Sequence, residues 1–379
     1  MKKFNFKFYG NIYFGLESRF KINEIIEKNN YSKICLIIDH NLLKLPIFEN
    51  FMNKINCDFQ IIRCDISEPT YDKLEEKRLE VDKKIDAFVG IGGGSALDMA
   101  KGLSVLNVNH KEAISYRGFN KFDSPIPDII AIPTTAGTGS EITPNASFID
   151  LNEKRKMGIN GEDIRPKFSI LDPSLTLSCP EKATLSAGID SLVHATESYV
   201  AKSSNTMAKI FAKEGFNIVF FNLIDLIHDL NNIELREKVM FGAFLSAIGL
   251  MNSGTGPAAA MSYPLGVHFG VPHGIGGGIF LPHVISHNVE KGYLGYSSLY
   301  NFNGNEKSDK FKSDFFVNKI VETWKELEVP SDLSQFGMNK KHINDFVSDT
   351  LELKMALDEN PVDFYEKEIK YTLNRLLPI

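Results

Sequence analysis

One stretch in the first half of the chain decides the fold: Ala87-Phe88-Val89-Gly90-Ile91-Gly92-Gly93-Gly94-Ser95. Ala87–Ile91 is an apolar run of strand length, and it leads directly into three consecutive glycines. The residues that follow, Ala96–Val105, have helical composition and carry Asp98 and Lys101. The order of strand, tight turn and helix is that of one βα unit.

The glycine turn itself suggests a ligand. Consecutive glycines are costly in conformational entropy unless something has to approach the backbone closely. Backbone N–H groups and a helix N-terminus favour an anion, so Gly92, Gly93, Gly94 and Ser95 predict a site for a dinucleotide pyrophosphate. A flexible βα turn is the alternative. The stretch is neither G-x-G-x-x-G nor a Walker loop, which indicates a different nucleotide site.

Outward from this turn, short apolar runs alternate with longer amphipathic segments, the rhythm of a parallel sheet covered by helices. The runs are Ile34–Ile38, Phe59–Cys64, Ala87–Ile91, Ile129–Ile132 and Ser169–Leu171, and the segments are Leu42–Lys54 and Tyr71–Lys84. After Pro180 the segments are longer and their apolar residues are spaced by three and four, which predicts a mainly helical second half with a boundary near Leu177.

Composition excludes several classes of protein. A chain of 379 residues with 43% hydrophobic and 24% charged residues has the make-up of a globular protein of about two domains. The net charge of −6, from interspersed charges, argues against nucleic acid as a partner. The four cysteines show neither disulfide nor zinc-ribbon spacing, and we see no signal peptide and no apolar run of membrane-spanning length. We expect a cytoplasmic protein.

Asp39 ends the apolar run Ile34–Ile38. An acidic side chain at this place can accept hydrogen bonds from the adenosine ribose hydroxyls and repel a 2′-phosphate. This position favours NAD, with NADP as the alternative cofactor. An aspartate that only caps the next helix is an equally open alternative.

A second loop, Pro133-Thr134-Thr135-Ala136-Gly137-Thr138-Gly139-Ser140-Glu141, also follows a strand and is dense in hydroxyl groups and glycine. Together with the glycine turn, it resembles the iron-containing (group III) alcohol dehydrogenase family of the dehydroquinate-synthase-like superfamily. The resemblance covers nearly the whole chain. It extends through Asp172-Pro173, Ser186-Ala187-Gly188-Ile189-Asp190, Asp190-Ser191-Leu192-Val193-His194-Ala195, Ser262-Tyr263-Pro264-Leu265-Gly266 and Pro272-His273-Gly274.

The resemblance implies an α/β N-terminal Rossmann-like domain with a parallel sheet (1–177), an all-α C-terminal domain (178–379) and a cleft between them. The cofactor would lie along the first domain and a metal on the second. The expected cofactor-binding residues are Asp39, Gly92, Gly93, Gly94, Ser95, Asp98, Thr134, Thr135, Thr138 and Lys156.

Asp190 and His194 are four residues apart on a predicted helix, so both side chains leave the same face and can hold one divalent ion. Alone, such a pair is more often a surface or capping pair. The family resemblance favours a metal and adds His273 as the third ligand. Imidazole and carboxylate ligands suit Fe²⁺ or Zn²⁺.

The chain departs from the family pattern at several positions. Ala259 stands where the family places a further histidine ligand, fourteen residues before His273, and Tyr263 stands where many members carry a proton-transferring histidine. His268, in a predicted loop, is a candidate substitute ligand or proton donor. Ser67-Glu68-Pro69-Thr70 replaces the usual Pro-Asn-Pro-Thr.

The expected activity is NAD(P)H-dependent hydride transfer between a primary alcohol and an aldehyde in the interdomain cleft, with the substrate a small molecule, anionic or sugar-derived in some relatives. Tyr263, His268 and His273 are the candidate catalytic residues. The alternatives are a metal-independent reductase, a nucleotide-binding protein without dehydrogenase activity, and a lyase that uses NAD transiently. A homodimer is expected because this family often forms one.

Overall fold

The structure is a computed structural model that describes residues 3–8, 10–65, 68–302 and 307–377. The chain divides into two compact units. One, an α/β unit, contains Phe8–Pro180 together with Asn231–Met240. The other, a helical unit, contains Glu181–Leu230, Phe241–Ile379 and the first residues of the chain up to Lys7.

The α/β unit is built on a six-stranded parallel sheet. The described strands of the unit, which form this sheet and a smaller one, are β1 (Asn11–Phe14), β2 (Lys33–Asp39), β3 (Asp58–Cys64), β4 (Ala87–Gly92), β5 (Gly118–Phe119), β6 (Asp128–Pro133), β7 (Asn145–Asp150), β8 (Arg155–Asn160) and β9 (Phe168–Leu171). Its helices are α1 (Lys21–Asn29), α2 (Pro46–Met52), α3 (Tyr71–Arg78) and α4 (Gly94–Val108). The large sheet has the order β1-β9-β6-β4-β2-β3, and β5, β8 and β7 form a smaller one.

Strand β2 shows why the large sheet is covered on both faces. Successive side chains of a strand point to opposite faces, and here both sets are apolar. Cys35 and Ile37 belong to one buried cluster, whereas Ile34, Leu36 and Ile38 belong to another. The prediction of a parallel sheet between helical layers is therefore confirmed, and every apolar run assigned to it lies in a strand.

All regular elements among the described residues of the second unit are helices. It contains α5 (Glu181–Val200), α6 (Thr206–His228), most of α7 (Ile233–Met251), α8 (Pro257–Phe269), α9 (His273–Glu290), α10 (Asp309–Glu326), α11 (Ile343–Glu352), α12 (Lys354–Glu359) and α13 (Glu366–Leu376). Its central element is α5, which is buried on every side from Ala187 to Val200. None of the helices in the described part of the chain is long and apolar enough to span a membrane.

Helix α9 contains a proline, Pro282, in its interior. A proline has no N–H group, so the carbonyl of Gly278, four residues earlier, loses its helical hydrogen bond. The indole Nε1 of Trp324 on α10 donates to that carbonyl oxygen at 2.6 Å. The side chain thus supplies the donor that the proline removes, and it joins α10 to α9.

Trp324→Phe should lower the free energy of unfolding by about 1–3 kcal/mol, because the Gly278 carbonyl would remain buried without a donor. The same substitution should cost less in a Pro282→Ala background, where residue 282 again has an N–H group. Urea unfolding of the four proteins of this double-mutant cycle measures the coupling. A coupling of zero would show that Trp324 stabilises α9 by packing alone.

Candidate functional site

The predicted nucleotide residues lie where the central strands of the α/β unit end. Strands β2, β4 and β6 are neighbours in the sheet and end at Asp39, Gly92 and Pro133. In open parallel sheets, ligands bind at the carboxyl ends of the strands. The structure therefore brings the glycine turn, Asp39 and the loop of residues 133–141, called the threonine loop below, to one edge of the sheet.

Contacts between these segments are close. Gly92 has a φ of +150°, and a Cβ added there would lie 2.8 Å from the Cβ of Ala96 and 3.1 Å from that of Asp39. The Thr134 N–H donates to the Gly92 carbonyl at 2.9 Å. Only glycine satisfies both the backbone conformation and the space at this turn.

The threonine loop also reaches the start of α4. A Cβ added at Gly94 would lie 2.9 Å from Thr138 Cγ2, and one added at Gly93 would lie 3.5 Å from the side chain of Thr135. The N-cap residue of α4 is Gly93, which has no side chain with which to cap the first turn. A phosphate is the kind of group that satisfies the N–H groups of such a turn.

The carboxylate of Asp39 already has partners within its own turn. Its Oδ1 accepts from the backbone N–H and the side-chain Nδ2 of Asn41, both at 3.0 Å. The alternative that Asp39 caps the next helix is wrong, because the N-cap of α2 is Leu45 and Asp39 closes its own turn instead. This turn leaves the carboxylate partly exposed beside Gly92, so closing the turn and binding a ribose are compatible.

Asp98, expected among the cofactor-binding residues, contacts protein groups instead. It accepts from the hydroxyl of Ser140 and from the backbone N–H of Ser147. Lys101, one turn further along α4, is fully buried and donates to Ser140 Oγ at 2.8 Å and to two backbone carbonyls, those of Thr143 and Asn145. Together these residues hold the threonine loop against α4.

Burial governs the ionisation of this pair. It lowers the pKa of Lys101 to about 8, although the negative charge of Asp98 opposes the shift. Burial raises the pKa of Asp98, while Lys101 and the Ser140 hydroxyl pull it down. Each group therefore depends on the other for its charge.

Lys156 lies on β8 and is mostly buried. Its Nζ forms an ion pair with the carboxylate of Glu68. Glu68 occupies the position at which the family pattern usually has asparagine. The substitution therefore provides a carboxylate that pairs with Lys156, the lysine expected to contact the cofactor. Ser67, from the same segment, lies outside the described residues.

The predicted metal ligands come together in the helical unit. Asp190 and His194 lie one turn apart on α5, and His273 is the first residue of α9. Asp190 Oδ1 is 3.5 Å from His194 Nε2 and 3.8 Å from His273 Nε2. Among the described residues this is the one cluster of three metal-ligating side chains, with all ligand atoms within 4.8 Å of one another.

This donor set fits a divalent transition metal. Ligand atoms about 2.1 Å from a tetrahedral ion lie roughly 3.4 Å from one another, close to the separations seen here. Asp190 and His194 are buried and His273 is partly exposed, so one side of the cluster remains open. The three residues are the ones that would hold the ion.

A close approach of two helices explains the position of His273. A Cβ added at Gly274, the next residue, would lie 2.0 Å from the carbonyl oxygen of Ser186 and 2.8 Å from the Cβ of Asp190. Only glycine permits α9 to begin this near to α5. The Pro-His-Gly sequence thus sets the distance between His273 and Asp190.

The two other candidate catalytic residues differ in position. The Tyr263 ring lies edge-on to the His273 ring, with centroids 5.0 Å apart. His268 is in the last turn of α8, not in the predicted loop, and its Nε2 lies 2.7 Å from Asp349 Oδ2. It does not join the cluster, because it lies about 9 Å further along the α8 axis than Ser262, which contacts His273.

Sequence reasoning missed Glu197, which lies three residues after His194 on α5. This buried carboxylate accepts from the backbone N–H groups of Gly256, Ala258 and Ala259 at 2.7, 2.7 and 3.3 Å. Glu197 therefore caps the first turn of α8, where Ala259 stands. Burial raises its pKa, and these hydrogen bonds oppose the rise. The sequence offered one signal for Glu197, its position one helical turn after the predicted ligand His194.

Comparison with known proteins gives the family. Residues 10–173 match the sequence family described as iron-containing alcohol dehydrogenase, and residues 184–377 match the Fe-containing alcohol dehydrogenase family, C-terminal. The chain belongs to the iron-containing alcohol dehydrogenase family, as its motifs implied. The expectation of this family is therefore confirmed.

Individual relatives agree with this assignment. The chain is 34% identical over 204 residues to an NAD-dependent methanol dehydrogenase of Bacillus methanolicus, a match that spans 54% of each chain and so about half the length of that relative. It is 29% identical over 268 residues to a 1,3-propanediol dehydrogenase of Citrobacter freundii, 69% of each chain. A crystal structure of 1,3-propanediol oxidoreductase has the same fold, with a TM-score of 0.93 at 23% identity over 99% of this chain and 100% of that one.

Lys101→Met should lower the free energy of unfolding by about 3–5 kcal/mol, because it leaves the mostly buried Asp98 and two carbonyls without the ammonium group. The control is Lys33→Met, which removes an exposed ion pair with Asp82 and should cost at most about 1 kcal/mol. Urea unfolding measures both. Equal losses would contradict the role given to Lys101.

Proposed function

We propose that this protein is an NAD(H)-dependent oxidoreductase that interconverts a primary alcohol and an aldehyde with the help of a divalent metal. The observation that carries the proposal is the convergence of Asp190, His194 and His273 within 4.8 Å. The family and the dehydrogenase names of the relatives support it. Iron is the metal proposed, with Zn²⁺ as the alternative.

The two units have separate tasks in this proposal. The α/β unit, expected over 1–177, binds the nucleotide at the glycine turn and the threonine loop, and the helical unit, expected over 178–379, provides the metal ligands. Neutral imidazoles and one carboxylate are ligands that Fe²⁺ and Zn²⁺ accept. When bound there, the ion supplies Lewis acidity toward the oxygen of the reacting carbonyl.

The chain's own residues then have definite roles. Asp190 contributes the negative charge of the ligand set, and His194 and His273 present ring nitrogens to the same point. The proton on the substrate oxygen has to be supplied or removed by a nearby group. We propose Tyr263 for this task, because its ring contacts that of His273, the one partly exposed member of the cluster.

The preferred cofactor in this proposal is NAD. Asp39 places a carboxylate beside the glycine turn, where it would accept ribose hydroxyl groups and repel a 2′-phosphate. The printed name of the methanol dehydrogenase relative, which is NAD-dependent, is consistent with this preference. The substrate is proposed only as a small alcohol or aldehyde.

We further propose a cytoplasmic location and a homodimer. The four cysteines are all free, and three of them are buried. Such thiols suit a reducing compartment. The homodimer is proposed from the family resemblance, and size-exclusion chromatography with light scattering tests it.

The reaction is tested with purified protein, NADH and a panel of neutral and anionic aldehydes. Asp190→Asn should lower kcat/KM by on the order of 10²–10³, the loss typical of removing one group that stabilises a developing oxyanion. It should also lower the iron and zinc content measured by mass spectrometry. NADH binding should persist, since the nucleotide residues lie in the α/β unit.

The matched control is Asp358→Asn, a carboxylate in the helical unit that accepts from the Tyr365 hydroxyl. It should leave activity and metal content unchanged. Full activity of the unmodified protein after exhaustive chelation would eliminate the metal and favour the metal-independent reductase. No NADH oxidation with any aldehyde would overturn the proposed function.

Asp39→Ala should raise the ratio of kcat/KM for NADPH to that for NADH by about tenfold, which corresponds to about 1.4 kcal/mol of discrimination. The physical reason is loss of repulsion between the carboxylate and the 2′-phosphate. Asp58→Ala, at the opposite, amino end of the neighbouring strand β3, is the control and should not change the ratio. If Asp39→Ala leaves the ratio unchanged, the role of Asp39 is limited to its hydrogen bonds with Asn41 in its own turn.

A further inference from the structure

Ser262 makes two short contacts inside the helical unit. It lies on α8 and is 1% exposed. Its Oγ is 2.6 Å from the carbonyl oxygen of Ala259 and 2.7 Å from Nδ1 of His273. The hydroxyl therefore joins the backbone of the first turn of α8 to a ring nitrogen of a candidate metal ligand.

The chemistry of these two contacts assigns the proton positions. A carbonyl oxygen can only accept, so the single hydroxyl hydrogen of Ser262 is donated to Ala259. The oxygen of Ser262 must then accept from His273, which requires a hydrogen on Nδ1. In a neutral imidazole the lone pair is consequently on Nε2, the atom that lies 3.8 Å from Asp190 Oδ1.

We infer that Ser262 is a positioning residue that keeps His273 in the Nδ1–H tautomer and directs its Nε2 lone pair toward Asp190 and His194. The metal-binding consequence rests on the proposed function, whereas the tautomer does not. Ligating histidines usually donate their second ring N–H to a neighbouring acceptor, and loss of that acceptor typically lowers metal affinity 10–100-fold.

The neighbouring residues make this support specific to His273. Nδ1 of His194 is buried and has no hydrogen-bond partner among the described residues, so Ser262 serves one histidine of the pair. A Cβ added at Gly276 on α9 would lie 3.1 Å from the Cβ of Ser262. The start of α9 thus packs directly on this serine, which limits the positions available to its hydroxyl.

The test compares Ser262→Ala with Ser246→Ala. Ser246 is a matched control, because it is also buried, donates to a carbonyl of its own helix and contacts a second polar side chain, Ser191. Each full-length protein is stripped of metal and titrated with Co²⁺, followed by its visible absorption. Ser262→Ala should weaken Co²⁺ binding by about 10–100-fold, and Ser246→Ala should leave it unchanged.

A second readout follows the tautomer without metal. The proteins are labelled with ¹⁵N-histidine, and the ring signals of His273 are assigned by comparison with His273→Gln. The unmodified protein should show a protonated Nδ1 at His273, and Ser262→Ala should shift the population toward the Nε2–H form. If Ser262→Ala does not fold, Ser262→Cys, which fills similar space with a weaker donor and acceptor, replaces it.

The outcomes separate this inference from the proposed function. An Nε2–H tautomer in the unmodified protein, or unchanged ring signals and unchanged Co²⁺ affinity in Ser262→Ala, would overturn the role of Ser262. Failure of the unmodified protein to bind Co²⁺, with the tautomer shift still observed, would overturn the proposed metal and support the positioning role. Weakened binding in both serine variants would mark a structural effect and count against the inference.

Discussion

The candidate metal site depends on the close approach of α9 to α5. The two helices meet where Gly274 faces the carbonyl of Ser186, and the contact leaves no room for a side chain. His273 precedes this glycine and therefore begins its helix within reach of Asp190. Asp190 and His194 need no such device, because four residues on one helix already place them on the same face. The most demanding part of the site is thus a contact between backbones, made possible by the absence of a side chain.

Helix α8 is fixed to this pair of helices from two sides. Glu197 on α5 accepts from the first N–H groups of α8, and Ser262 joins α8 to His273 on α9. Ala259 lies between these two contacts. Its N–H donates to Glu197, and its carbonyl accepts from the Ser262 hydroxyl. The position at which the family pattern has a histidine is therefore held through both backbone groups of Ala259.

The edge of the α/β unit that is proposed to bind the nucleotide is organised on a similar basis. The glycine turn supplies conformations and space that other residues cannot, while the buried Lys101 and Asp98 attach the threonine loop to the helix that follows the turn. An unpaired charge inside a protein is very unfavourable, so the two groups stabilise the loop only together. A loop that is proposed to bind a charged ligand is in this way anchored by charged groups that are bonded to the protein itself.

Much of this arrangement was predictable from local patterns. The strand ends at Asp39, Gly92 and Pro133 follow from apolar runs that stop at punctuating residues, and parallel pairing then brings the ends together. The Asp190–His194 pair follows from helical periodicity. His273 required the family resemblance, since nothing in the spacing between residues 194 and 273 indicates that α5 and α9 meet.

The features that sequence reasoning missed are those decided by side-chain direction and by element boundaries. Asp98 was expected to face the cofactor, but the helix that carries it turns its carboxylate toward Ser140 and Ser147. His268 was expected in a loop, yet α8 continues to Phe269 and directs it to Asp349. The direction of a side chain turns by about 100° from one helical residue to the next. An error in where a helix begins or ends therefore also gives a wrong prediction of the groups that its side chains contact. Glu197 was missed because its partners, the Thr255 hydroxyl and three backbone N–H groups, lie 58 to 62 residues further along the chain, and its spacing from His194 does not indicate them.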